Sequence, residues 1–125
     1  MTTTTLFGIA LAPLFAAIAQ VESENGKTSD NVYQIQRVYL DDVGRIYGCR
    51  FSDDVATSRF SSEQVMLAYL EHYDEQCRRK AGKEPTAEVL ARIHNGGPNR
   101  WKKPSTLEYW HKVKAAMDAA EGKRK

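Results

Sequence analysis

The stretch Leu14-Phe15-Ala16-Ala17-Ile18-Ala19-Gln20-Val21-Glu22 decides the fold class of this chain. Leu14, Ile18 and Val21 recur at i, i+4 and i+7, and Phe15 widens the stripe, which is the period of a helix that buries one face. Pro13 suits the first turn of such a helix, where a missing N–H costs nothing. Directly afterwards Ser23, Glu24, Asn25 and Gly26 make the chain polar and turn-prone. Glu22 therefore sits where an apolar helix wall gives way to an open cleft. Burial against apolar neighbours disfavours the ionised form of a carboxyl, and a glutamic acid that keeps its proton near neutral pH can act as a general acid. Taken alone, Glu22 reads as an ordinary exposed glutamate in the last turn of a helix.

Working outward, the remaining periodic segments are also helical. Val32-Tyr33-Gln34-Ile35 suggests a short extended piece after the polar loop, and a second helix is expected from about Gln36 to Tyr47, burying Val38, Tyr39, Val43 and Ile46, with Gly48 as its stop. Residues 50–60 look irregular. Ser61 with Gln64 three residues on has the pattern of a capping box, opening a third helix that carries Met66, Tyr69, Leu70, Tyr73 and Cys77. Gly82-Lys83-Glu84-Pro85 breaks the chain. Thr86 caps a fourth helix with Val89, Leu90 and Ile93 inward, and Gly96-Gly97-Pro98 ends it. A second capping box, Ser105 and Glu108, opens a last helix striped by Leu107, Trp110, Val113 and Met117. With no repeat and no convincing run of alternating strands, the expectation is a single, mainly α domain of about five helices over residues 1–125. Residues 1–12 form an apolar N-terminal extension and residues 118–125 a basic tail.

Composition bounds the function classes. At 125 residues, 42% hydrophobic and 27% charged, the chain fits one globular domain with one core. Its formal net charge of +2 is only mildly basic, with part of the excess in Lys102-Lys103 and Lys123-Arg124-Lys125. That balance suits contact with an anionic polymer. A helical nucleic-acid-binding protein is the weaker reading, because no expected helix concentrates Lys and Arg on one face. Cys49 and Cys77 are too few for a disulfide framework and lack the spacing of a zinc site, so Cys77 is expected as a buried free thiol. Leu6 to Ala19 is shorter than the roughly 20 apolar residues that span a bilayer, has no basic residue before it, and reads better as a core helix than as an export signal. No metal, cofactor or stable membrane span is expected, and a monomer is.

Three blocks carry the chemistry: Val21-Glu22-Ser23; Val32-Tyr33-Gln34-Ile35; and Ala91-Arg92-Ile93-His94-Asn95-Gly96-Gly97-Pro98-Asn99 followed by Thr106-Leu107-Glu108-Tyr109-Trp110. A polar loop between the first two would let them form two sides of one groove. Asn and Gln along it both donate and accept hydrogen bonds, as sugar hydroxyls and acetamido groups require. Tyr33 can stack on a pyranose, and the paired glycines permit positive φ and close approach of backbone to a ligand. Asn95 serves either ligand contact or loop bonding, and His94 reads more as a structural residue than as a base. Trp101 is open to sugar stacking or a surface position, whereas Trp110 and Leu107 read as core.

In this order the blocks resemble the lysozyme-like superfamily of peptidoglycan-cleaving enzymes, over roughly residues 13–113. The likeness is closest to the bacterial and phage members that share blocks with invertebrate-type lysozymes. The resemblance implies a lysozyme-like fold with a short loop or hairpin beside the groove, and Glu22 as the catalytic acid. It implies substrate contacts from Tyr33, Gln34, His94, Asn95, Gly96 and Tyr109. The implied reaction is cleavage of the β-1,4 bond between N-acetylmuramic acid and N-acetylglucosamine, in the periplasm or on the cell wall, with the glycan strand as partner. The chain also departs from the pattern. Invertebrate-type lysozymes are rich in disulfides, so the likeness is to a cysteine-poor branch. They also place a second catalytic aspartate in the loop after the glutamate. Here that loop is short, Glu24 and Asp30 are its carboxylates, and Asp41 and Asp42 lie on the next helix. Hydrolysis is ahead of the alternative, a lytic transglycosylase that needs one glutamate and leaves an anhydro sugar. A peptidoglycan-binding protein without turnover is the rival of another class.

Overall fold

In the computed structural model, which describes residues 5–82 and 86–123, five helices share one hydrophobic core. They are α1 (Leu11–Ser23), α2 (Arg37–Tyr47), α3 (Arg59–Ala81), α4 (Ala87–Gly96) and α5 (Pro104–Lys123). A 3-10 turn spans Asp53–Thr57, inside the segment read as irregular. The mainly α expectation holds. α1 is enclosed by its neighbours, with Leu14, Ile18 and Ala19 fully buried, and it packs against α5 and α4. At 13 residues it is short, and among the described residues no helix is long and apolar enough to cross a membrane.

The expected boundaries needed correction at several places. The apolar N-terminal extension contains a hairpin, β1 (Thr5–Leu6) paired antiparallel with β2 (Ile9–Ala10). Its turn residues Phe7 and Gly8 both take positive φ, the geometry that joins two strands tightly. The Phe7 ring lies under the Arg78 guanidinium of α3, 5.0 Å from the ring centroid, so the hairpin is docked rather than trailing. Val32 to Ile35 is a turn rather than an extended piece, and Gln34 has a φ of 54°. The helix at the chain's end runs through residues 118–123, so most of the expected tail is α5; Arg124 and Lys125 fall outside the described residues, as do Met1 to Thr4 and Lys83-Glu84-Pro85.

Both capping boxes were displaced. α3 is capped by Ser58, whose hydroxyl accepts from the Ser61 N–H at 3.3 Å, and Ser61 lies inside the helix. Ser62, buried one residue on, instead donates to the Val55 and Ala56 carbonyls and ties the 3-10 turn to α3. At the last helix Pro104 occupies the first position, leaving Ser105 within the first turn. The buried line of α5 is Thr106, Tyr109 and Val113: Val113 is where it was expected, but Thr106 and Tyr109 take the places expected of Leu107 and Trp110, one residue later in sequence. Leu107 is 37% exposed and Trp110 half-buried, so neither is the core residue expected. Val38 is likewise exposed, because α2 buries Tyr39, Leu40, Val43 and Gly44 on its inner face. Trp101 is buried, which removes it from the surface. Cys77 is a buried free thiol, as expected, and Cys49 an exposed one.

Candidate active site

The C-terminus of α1 is built to hold one carboxylate still. Glu24 and Asn25 both adopt left-handed φ, and their N–H groups close back on the Gln20 and Ala19 carbonyls at 3.0 Å each. Ser23 is buried beneath this end. Its hydroxyl donates to the Val32 carbonyl at 2.7 Å and accepts the Gly26 N–H at 2.9 Å, pinning the helix end to the returning chain. That return is stapled by Asn31. Its side chain both donates to the Ile35 carbonyl and accepts the Ile35 N–H, each at 2.8 Å, and this holds Gln34 in its left-handed conformation. Gln34 in turn donates to the Asn31 carbonyl at 2.8 Å.

Glu22 projects from this support into a groove of about 330 Å³, with its side chain 19% exposed. Gln34, His94, Asn95 and Gly96 line the same groove, so five of the seven residues singled out from sequence converge there. Tyr33 and Tyr109 are buried behind it. The Tyr33 ring meets Phe15 edge-on, and its hydroxyl donates to Glu63. Burial first, and that carboxylate second, push the Tyr33 phenol up to about 12. Tyr109 reaches Glu22 from below, its hydroxyl donating to Oε2 at 3.2 Å. Burial, reinforced by the Glu22 carboxylate, drives the Tyr109 phenol far above its ordinary range, so it stays a donor at every working pH.

His94 approaches the same Glu22 oxygen, with Nε2 3.6 Å from Oε2. Nε2 also lies 3.2 Å from the Tyr33 carbonyl, which can only accept, so Nε2 carries the hydrogen. Nδ1 lies 3.1 Å from the Tyr39 hydroxyl. Burial holds the Tyr39 phenol well above its usual value. One imidazole thus joins α4 to the loop and to α2 at the edge of the groove. Both contacts to Glu22 fall on Oε2, and among the described residues none bonds Oε1.

Residues that sequence reasoning passed over complete the groove. Tyr39 stacks on Tyr69 with centroids 3.8 Å apart, and Tyr69 meets Tyr73 edge-on at 4.9 Å. Tyr39 and Tyr69 line the groove, as do Gln36 and Val38. Their signal in the sequence was the helical stripe itself, which marks a buried face without saying which part borders a cleft. Of the carboxylates considered as a second acid, Asp42 is the one on the groove wall. Its Oδ2 accepts from the Tyr73 hydroxyl at 3.1 Å and its Oδ1 pairs with Arg45. Glu24 and Asp30 are exposed and lie outside that lining, and Asp41 is held by Arg37 at 2.8 Å.

The opposite wall is shaped by the paired glycines, with different needs at each. A β-carbon on Gly96 would meet the Thr106 methyl at 2.7 Å and the Trp101 backbone at 3.2 Å. Gly97 has a φ of 77°. The close approach is therefore to the protein's own backbone. Arg92 braces the loop beyond, donating to the Trp101 carbonyl at 3.1 Å and to the Thr106 hydroxyl at 3.0 Å, while paired with Glu88 at 2.9 Å. Among the described residues no group of three or more His, Cys, Asp or Glu is gathered as a metal site would need.

No protein-family model matches the chain. Among curated proteins, invertebrate-type lysozyme 6 of Caenorhabditis elegans is 35% identical over 96 residues, covering 71% of this chain and 67% of that protein. The chain belongs to the invertebrate-type lysozyme family. A lysozyme of the clam Meretrix lusoria is 34% identical over 88 residues, with 70% and 67% covered. The lysozyme of the oyster Magallana gigas is 36% identical over 81 residues, and there the chain spans only 55% of the relative's length. This chain's two cysteines are both free. Its groove is held by the Ser23, Asn31 and Arg92 hydrogen bonds.

Proposed function

We propose that this lysozyme-family chain is a glycoside hydrolase that cuts the β-1,4 bond between N-acetylmuramic acid and N-acetylglucosamine, with Glu22 as general acid. The observation that carries the reading is the one-sided clamp on Glu22, a residue that lines the groove: Tyr109 and His94 engage Oε2, and no described residue bonds Oε1. A carboxyl so oriented can deliver its proton to a glycosidic oxygen lying in the groove. The C1–O bond then breaks, the leaving sugar departs with that proton, and water adds at C1. A water arriving from the leaving-group side returns its proton to Glu22. Asp42, the other carboxylate on the groove wall, supports the positive charge that develops at the sugar. Gln34 and Asn95 supply amide donors and acceptors for the acetamido group and hydroxyls, and Tyr39 and Tyr69 offer an aromatic surface for a pyranose face.

The test is mass analysis of the muropeptides released from purified cell wall, by the parent and by Glu22→Gln. Reducing-end products from the parent, lost in the variant, support the reading. Anhydro products would assign the transglycosylase route instead. Wall cleavage undiminished in Glu22→Gln would remove Glu22 from the chemistry altogether, and no release by the parent would leave a binding protein.

A further inference from the structure

Tyr73 stands between the groove and a second cavity of about 450 Å³: the Tyr73 hydroxyl bonds Asp42 on the groove side, and Tyr73 also lines the cavity. The loop crosses the same boundary, with Gly97 on the groove and Pro98 on the cavity. Beyond it stand Gln76 and Lys80 from α3, and Asn99, Trp101 and Lys102 from the loop.

The two compartments differ in their ionisable groups. Glu22 and Asp42 line the groove, whereas no Asp or Glu lines the cavity. Lys80 and Lys102 enter none of the ion pairs among the described residues, although Arg78 and Arg79 beside Lys80 are paired with Asp74 and Glu75. Lys102 Nζ lies 5.9 Å from the centre of the Trp101 ring, whose burial fixes one wall. Gln76 and Asn99 add amide groups that can donate to an anion. An anionic substituent carried on a glycan in the groove would be drawn past Tyr73 to the two ammonium groups.

We propose that this cavity is a subsite for the carboxylate end of a peptide stem borne by the glycan. The proposal rests on the groove's being the glycan site. Carboxylate specificity follows from the cavity's pairing of two ammonium groups with amide donors, and the attachment follows from its adjacency to the groove across Tyr73 and the Gly97–Pro98 step.

The experiment titrates the isotope-labelled full chain with a free tetrapeptide stem ending in a carboxylate, with the same peptide amidated at every carboxylate, and with inorganic phosphate. The Trp101 indole and the amides of Gln76, Lys80, Asn99 and Lys102 are followed by NMR. Saturable shifts at these residues with the acid peptide are expected, absent with the amide. Lys80→Gln with Lys102→Gln should weaken that binding about tenfold, as should a rise from low to high salt. The double variant should also lower cleavage of stem-bearing glycan relative to uncharged chito-oligosaccharide. Equal binding of the amidated peptide, an equal response to phosphate, no saturable shifts, or no change in the double variant would each overturn the proposal. Peptide binding involves no bond cleavage, so its failure leaves Glu22's role standing. Intact peptide binding by a chain that cuts no wall would overturn that role and leave the cavity's.

Discussion

Substituting Gly96 by alanine should destabilise the protein through a clash that its surroundings cannot relieve. The added β-carbon would sit 2.7 Å from the Thr106 methyl and 3.2 Å from the Trp101 N and Cα. Thr106 cannot rotate away cheaply, because its hydroxyl is engaged with the Trp101 and Lys103 carbonyls and with Arg92. Trp101 is buried and its backbone is held through the same Arg92. Overpacking of this kind costs about 1–3 kcal/mol. Alanine's better helix propensity offsets at most about 1 kcal/mol at the last residue of α4. With a central cost of about 2 kcal/mol, the net loss of about 1–2 kcal/mol corresponds to a fall in Tm of roughly 3–10 °C for a chain of this size. Thermal unfolding followed by circular dichroism measures it. Thr106→Ser keeps the hydroxyl and removes the methyl, so the double variant should lose less than the two single losses summed, by about 1 kcal/mol. A Gly96→Ala protein that melts at or above the parental temperature would refute the argument, and additive losses would refute the Thr106 part of it.

Tyr109→Phe removes a donor to Glu22 without touching the groove surface. A hydrogen bond to a charged group is worth about 1.5–3 kcal/mol, and with His94 remaining beside Glu22 the expected loss in kcat is about tenfold, with KM changed less than about twofold. Initial rates on wall substrate check it, and a KM effect alone would place Tyr109 in binding instead. Asp74 is fully buried on α3, bonded to Arg78 at 2.7 Å, with Oδ1 unpartnered. Burial outweighs the guanidinium and raises its folded pKa above the ordinary 3.8. A raised folded pKa means stability that is full below the unfolded value and lost as pH rises through the folded one. The Tm of Asp74→Asn relative to the parent should therefore be higher at pH 7 than at pH 3; a difference independent of pH would count against this account.

The helices were legible because they rest on local pattern, and the groove's main residues because the three blocks together resemble a known family. The period of Leu14, Ile18 and Val21 gave α1, and the glycines after His94-Asn95 gave the end of α4. What was not legible depends on partners distant in sequence. Thr106 displaces the stripe of α5 because its hydroxyl serves the Trp101 and Lys103 carbonyls, and a hydrophobicity pattern does not count a polar residue as core. Val38 fits a helical stripe but borders the groove, and α2's inner face is set by Gly44, where a β-carbon would meet the Cys49 carbonyl at 2.5 Å. Tyr33 looked like a groove aromatic because nothing local reveals Glu63, thirty residues away, as the partner of its hydroxyl. Asp42 was one of four neighbouring carboxylates until Tyr73 and the groove wall singled it out.

Glu22 rides on the end of α1, whose inner residues Leu14, Ile18 and Ala19 have no exposed surface. Its position is thus inherited from the core, and changes that shift its carboxylate also loosen the fold. The walls are under a weaker constraint, since Gln36 at the entry to α2 and Val38 on it carry side chains to the surface. In this scaffold, then, the groove walls can drift under selection while the Glu22 carboxylate stays where folding puts it.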